Sequence, residues 1–166
     1  MSIKDAVANA SAYLTAHPDE ARYRDSPAVA KITSGLSVIV TGPGGESVTT
    51  DMPAGIGGGA SAPSPGWLMR AATASCVASL IAIRAAVVGA DLGPIEVVVD
   101  SESDDRGILG LDDAIDAGAL SMKVVVSFGG TDAGRESARE LVDWAIRHCP
   151  VTDTIARAVP IQIEIR

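Results

Sequence analysis

Two cysteines carry the most reactive side chains of this 166-residue sequence, and they keep different company. Cys76 lies in Ala71-Ala72-Thr73-Ala74-Ser75-Cys76-Val77-Ala78-Ser79-Leu80, inside the most apolar helical pattern of the chain. Burial among apolar neighbours raises a thiol pKa and makes it inert. Thr73 and Ser79, three residues to either side, share its general face and can donate hydrogen bonds to a thiolate. Cys149 lies in Arg147-His148-Cys149-Pro150-Val151-Thr152-Asp153, at the junction of two helical patterns. It falls at the expected N-cap of a helix led by Pro150, whose positive end favours thiolate over thiol. Arg147 and His148 add positive charge beside it. Each cysteine also has a plain structural role open to it, Cys76 as a small core hydrophobe and Cys149 as a small capping residue. If the fold brings them together, they form a redox couple.

Other constellations are thin. Two histidines and two cysteines have no C-x-x-C or H-x-x-x-H spacing, so no metal is expected. Gly57-Gly58-Gly59 lacks the G-x-G-x-x-G setting of a nucleotide loop, and no cofactor is expected. Asp100, Glu102, Asp104 and Asp105 lack the full calcium-loop pattern and read as a solvated acidic loop. Serine, histidine and aspartate occur, but not in a G-x-S-x-G setting.

The elements that must position the cysteines follow from periodicity. Residues 5–17 read as a modest helix stopped by Pro18. Residues 29–33, 36–41 and 47–51 read as three strands of an antiparallel meander, with Gly42-Pro43-Gly44-Gly45 as a turn. Residues 53–66 are rich in Gly, Pro, Ser and Ala and read as a close-packed loop. It leads into the long apolar helix, residues 67–89, which ends at Gly89 and Gly93. Residues 95–99 form a β-branched strand, 101–116 an acidic polar segment, and 120–128 a further strand. Residues 131–148 read as a helix capped by Thr131 or Asp132, with Ala138, Leu141, Val142, Ala145 and Ile146 as its apolar face. A short helix over 151–158 and a last strand over 159–165 complete the chain, which reads as one domain.

Composition narrows the function classes. The sequence is 47% hydrophobic and only 3% aromatic, so its core is built from Ala, Val, Ile and Leu, with few platforms for stacking bases or sugars. The net charge of −8 repels phosphate backbones and anionic lipid, so neither nucleic acid nor a membrane surface is expected as a partner. The start, Met1-Ser2-Ile3-Lys4-Asp5-Ala6, has no long apolar run, no signal peptide is read there, and a cytoplasmic location is expected. The long apolar helix carries Arg70 and Arg84, and the 13 uncharged residues between them are too few to span a bilayer.

The ordered set of motifs resembles the OsmC/Ohr family of hydroperoxide-reducing proteins. Asp51-Met52-Pro53-Ala54-Gly55-Ile56-Gly57-Gly58 looks like the family's strand end and Gly-Gly loop. Ala62-Pro63-Ser64-Pro65-Gly66-Trp67-Leu68, running into Cys76, is similar to the Pro-led entry to its central Cys helix. His148-Cys149-Pro150-Val151-Thr152 looks like its C-P-x-S/T motif. The order of elements fits from about residue 27 onward. The resemblance implies an α+β fold, with antiparallel sheets around a long central helix and two subunits in an intertwined homodimer. It implies a single OsmC-like domain over residues 1–166, with 1–24 as an N-terminal helical extension. It also implies that Cys76 is the peroxidatic thiol and Cys149 the resolving one, acting on a small-molecule hydroperoxide and reduced by an external dithiol.

The sequence departs from that family's pattern at two places. Where peroxidase branches carry a Gly-Gly-Arg-Asp-like turn that brings an Arg to the thiolate, this chain has Thr33-Ser34-Gly35-Leu36. Where some branches place a Glu after the Pro that leads the Cys helix, it has Gly66. Loss of a cationic partner removes about 1–3 pK units of thiolate stabilisation. Arg22 and Arg24, before the first strand, are the candidates to replace it across a dimer; Arg70, six residues from Cys76, points to a different face. Two readings follow: reduction of organic hydroperoxides or peroxide through the Cys76/Cys149 pair, or an OsmC-like dimer without efficient peroxidase activity that binds a small apolar ligand. An apolar lining near Cys76 favours alkyl hydroperoxides.

Overall fold

The computed structural model describes residues 1–130 and 135–165. Its chain divides into two compact units, one formed by Ala8–Met69 and the other by Arg70–Arg166 with Met1–Val7. Helix α1 spans Ile3–Ala16 and buries none of its residues. It ends before Pro18, which leads a single 3-10 turn.

In the first unit, β1 (Val29–Ser34), β2 (Ser37–Thr41) and β3 (Ser47–Thr50) form the expected antiparallel meander in the order β1-β2-β3. Val40 pairs with Ala30 on one side and Val48 on the other. Gly35, at φ +56, makes the tight β1–β2 turn that a residue with a Cβ would resist. Beyond β3 the loop is organised by a carboxylate. Asp51 is almost wholly buried, and its oxygens accept from the Met52 amide at 2.8 Å, the Gly59 and Ser61 amides at 3.1 Å, and the Ser61 hydroxyl at 2.7 Å. The Ser61 hydroxyl and amide, with the Met52 and Gly59 amides, outweigh burial and hold its carboxyl below the usual carboxylate range. Gly58 lies so close to the Met52 carbonyl that a Cβ has no room. This is the close packing expected of the Gly/Pro-rich segment, and its organiser is Asp51.

Helix α2 spans Pro65–Val88. Ser64 starts it by accepting from the Trp67 amide at 3.2 Å, with Pro65 suited to the first turn. Gly89, at φ +77, ends it, and the Ala90 amide returns to the Ala85 carbonyl at 2.9 Å. That bond is the six-to-one closure of a Schellman motif. Among the described helices α2 alone is long and apolar enough to cross a membrane, with a mean hydropathy of 1.9. Yet Thr73, Val77, Ile81 and Ala85 are buried within this fold.

The second unit is built on that stripe. Strands β4 (Ile95–Ser103) and β5 (Ala119–Phe128) pair antiparallel with Ile95 opposite Phe128, Val97 opposite Val126 and Val99 opposite Val124. The inner face, including Ile95, Val97, Val124, Val126 and Phe128, packs on a buried cluster of Val77, Ile81, Ala85, Leu92, Leu141, Ala145 and Cys149. β4 runs four residues beyond the expected strand, into the acidic segment, where a register shift after Glu102 ends regular pairing. A single helical turn, α3 (Asp105–Ile108), follows, capped by Asp104. Helix α4 covers Arg135–His148 and α5 covers Pro150–Ala156. The expected caps Thr131 and Asp132 lie outside the described residues. The expected last strand over 159–165 does not form: that segment joins no sheet among the described residues, and Ile161, Ile163 and Ile165 are exposed. Alternation alone cannot make a strand without a neighbouring edge to complete its hydrogen bonds.

Asp51→Asn is expected to lower the melting temperature at neutral pH, because an amide cannot reproduce a carboxylate that accepts four hydrogen bonds. The wild-type carboxyl is held below its unfolded value. Its contribution is therefore complete above roughly pH 4 and fades as pH falls through the folded-state value. Melting curves of the two proteins should converge on acidification; a gap that stays constant at low pH contradicts this role.

Candidate thiol site

The two cysteines are brought together by matching four-residue spacings. On α2 the buried stripe runs Thr73, Val77, Ile81, Ala85; on α4 it runs Leu141, Ala145 and ends at Cys149. Residues four apart share a helix face, so both stripes enter one core. Cys149 is its last member and is fully buried. Cys76 precedes Val77 in sequence, which places it on the flank of the α2 stripe, half-buried and packed against the cluster. Its thiol lies within interaction reach of the Cys149 sulfur, close enough for each to shift the other's ionisation. Both thiols are free.

Cys149 is the N-cap of α5, and its Sγ accepts from the Thr152 amide at 3.5 Å. Pro150 at the first helical position has no N–H to satisfy. The Thr152 hydroxyl donates to the Ile146 carbonyl at 2.8 Å and so ties the end of α4 to the start of α5. Burial alone would push the Cys149 thiol up. The hydrogen bond from Cys76, the Thr152 amide and side chain and the Val151 amide outweigh it, and Cys149 is held below the ordinary thiol value. For Cys76, burial pushes the thiol up first. The hydrogen bond to Cys149 and the charge there push it further, against a smaller opposing effect of the Val151 amide. The two thiols are therefore shifted in opposite directions, Cys149 down and Cys76 up.

Several expected contributors lie elsewhere. His148 turns away from the thiols: its ring stacks on Trp144 with centroids 4.3 Å apart, and Nδ1 is 2.7 Å from the Trp144 carbonyl oxygen. Arg147 is exposed. Arg70 donates to the Ser101 hydroxyl at 3.1 Å, in keeping with its expected placement on another face. Ser79 is exposed, and the amide that reaches Cys76 from outside its own helix comes from Val151. The groups that depress Cys149 are hydrogen-bond donors rather than charges. Thr152 entered the sequence reading only as the hydroxyl residue of the C-P-x-S/T resemblance, and Val151 was given no role. A hydroxyl residue three positions after a predicted N-cap is the signal that points to Thr152. Among the described residues no three His, Cys, Asp or Glu side chains are grouped to hold a metal.

A family model for OsmC-like proteins matches residues 57–164, which is 108 of the 166 residues, and the chain belongs to that family. Solved structures share the fold. The OsmC-like protein of Mycoplasma pneumoniae superposes with a TM-score of 0.69 at 12% identity, covering 82% of this chain and 91% of that one. The organic hydroperoxide resistance protein OsmC of Legionella pneumophila gives 0.62 at 22% identity, covering 81% and 90%. An organic hydroperoxide resistance protein of Elizabethkingia anophelis, with thiocyanate bound, gives 0.64 at 19% identity, covering 82% and 91%. At these identities the likeness establishes the α+β architecture of antiparallel sheets and a long helix. No curated protein matches the sequence.

Ultraviolet thiolate absorbance of the reduced protein should show one cysteine ionising below the ordinary thiol value and one above it. In Cys76→Ala the low-pKa thiolate should titrate at higher pH, because its nearest donor is gone. An unchanged titration in that variant contradicts the contribution of Cys76 to lowering Cys149.

Proposed function

We propose that this protein reduces organic hydroperoxides through Cys76 and Cys149, within a single OsmC-like domain that works as a homodimer. The observation that supports the reading is the packing of Cys76 against the buried Cys149, whose thiol pKa is lowered by the donors around it. Cys76 is the sulfur with solvent access, since Cys149 is fully buried. Cys149 takes the Cys76 proton along their hydrogen bond, and the Cys76 thiolate attacks the terminal peroxide oxygen. The O–O bond breaks, the departing alkoxide takes the proton now on Cys149 and leaves as the alcohol, and Cys76 becomes a sulfenic acid. The Cys149 thiolate so restored attacks the Cys76 sulfur, hydroxide leaves and takes a proton from solvent as water, and a disulfide forms. An external dithiol reduces that disulfide and is itself oxidised. A reducing cytoplasm supplies such dithiols. The apolar neighbours Val77 and Leu80 favour an alkyl hydroperoxide over a wholly polar one.

A second reading is favoured by the turn at residues 33–36, which carries no Arg, and by the raised Cys76 thiol. On that reading the dimer binds a small apolar ligand and turns over no peroxide. One experiment separates the two. With cumene hydroperoxide and a dithiol, Cys76→Ser should lose turnover. Cys149→Ser should undergo one oxidation per subunit and stall, with its sulfenic acid trapped by dimedone and located by mass spectrometry. Dimedone on Cys149 in Cys76→Ser, with none on Cys76 in Cys149→Ser, reverses the roles. No labelling and no peroxide consumption by the wild type selects the second reading.

The homodimer is supported by what the single chain leaves uncovered. Ile161, Ile163 and Ile165 are 87%, 85% and 92% exposed at alternate positions, and α2 carries apolar residues well beyond its buried stripe. Sedimentation at micromolar concentration should show a dimer, and Ile161→Asp with Ile163→Asp should shift it towards monomer. A monomeric wild type overturns this part of the proposal.

A further inference from the structure

We propose that a cavity between the second half of α2 and α4 binds small amphiphilic monocarboxylates, at a site separate from the thiol pair. The cavity measures about 410 Å³, within the range of small-molecule sites. Val88, Leu141 and Trp144 give it apolar walls, and Arg84 and Arg147 line it with Glu140. The Arg84 guanidinium lies 5.2 Å from the centroid of the Trp144 ring, and His148 stacks on the same indole with only 16° between the planes. The aromatic wall is thereby fixed from α4 itself, and Arg84 is held against it from α2.

Charge makes the choice of ligand. The chain has 13 Lys and Arg against 21 Asp and Glu. The salt bridges among the described residues join Arg106 to Asp104, Arg139 to Asp143 and Arg157 to Asp153. Neither Arg84 nor Arg147 takes part in one, although acids are in excess. Among the described lining residues, two guanidiniums and one carboxylate leave one positive charge in excess. That balance fits a single carboxylate and disfavours a doubly charged phosphate. A guanidinium binds a carboxylate through paired N–H donors, and the walls of Val88, Leu141 and Trp144 cover an aliphatic tail. Arg84 follows Cys76 by eight residues, about 12 Å along a helix, so an occupant headed by its carboxylate at Arg84 is two turns from the reactive sulfur.

The test titrates sodium octanoate and 1-octanol into Trp67→Phe protein, in which Trp144 is the remaining tryptophan, and follows its fluorescence. Octanoate should bind saturably and octanol about tenfold more weakly, the expected loss of one charge-assisted contact. Arg84→Met and Arg147→Met should each weaken octanoate while leaving octanol unchanged, and Arg84→Lys should recover part of the loss. Cys76→Ser should leave octanoate binding intact. Should Arg84→Met fail to fold, the exposed Arg147 and the Arg84→Lys variant carry the same test. Equal binding of octanol and octanoate, octanoate binding indifferent to both arginines, or no saturable binding overturns the proposal. Loss of octanoate binding in Cys76→Ser assigns the ligand to the thiol site instead and also overturns it.

Discussion

Two rows of side chains at four-residue spacing enter one core, and the thiol site depends on that packing. Val77, Ile81 and Ala85 supply one row, and Leu141 and Ala145 the other, with Cys149 continuing the second row one step past the end of α4. Truncating a fully buried Ile such as Ile81 costs about 2–5 kcal/mol, a large part of the stability of a small domain. The position of Cys149 is therefore held by the same burial that holds the helices. Cys76 lies beside Val77 rather than on the row, so it meets Cys149 from the edge of the core and retains access to solvent. A helix shift of one residue would rotate α2 by about 100° and separate the sulfurs.

Burial and hydrogen bonding oppose each other at Cys149, whereas at Cys76 the interaction with Cys149 adds to burial and only the Val151 amide opposes it. Both sulfurs are desolvated, which alone favours neutral thiols. Cys149 gathers amide donors because it caps α5, whose first turn has N–H groups with no intrahelical partner. Cys76 lies mid-helix, where its own backbone neighbours are already paired, and the amide acting on it comes from Val151 of α5. One short helix led by Pro150 therefore supplies backbone donors that act to lower the pKa of both thiols, against their burial. Putting the thiolate on Cys149 and access on Cys76 reconciles the helix-start argument with the order of chemistry that the family resemblance implies.

Much of this was legible in the residues. The meander followed from alternation and turn chemistry around Gly35 and Gly42-Pro43-Gly44-Gly45. The end of α2 followed from Gly89 and the junction at Cys149 from the Pro150 after it, while α2 starts at Pro65, two residues inside the segment read as a loop. The close approach of the two cysteines was not legible from spacing, since 72 residues intervene between them; it entered through the family resemblance. The organising carboxylate of Asp51 was missed because its donors at Gly59 and Ser61 come from a loop with no period to read. His148 was misread as a charge beside the thiol. Its ring stacks one turn back on Trp144, a pairing that sequence adjacency to Cys149 conceals.

The segment over 159–165 shows where reading alternation reaches its physical limit. Val159, Ile161, Ile163 and Ile165 alternate as a half-buried strand should, yet these side chains are exposed. Alternation encodes which face is to be covered, but not by what. A strand needs a second edge to pair its amides and carbonyls and a surface to cover its apolar face, and a single chain supplies neither here. The same asymmetry runs through α2, whose apolar composition exceeds what the stripe of Thr73, Val77, Ile81 and Ala85 buries. A helix apolar on most sides is stable in water only when those sides are covered. Both features leave apolar surface uncovered among the described residues, and that unmet burial is the basis of the proposed homodimer.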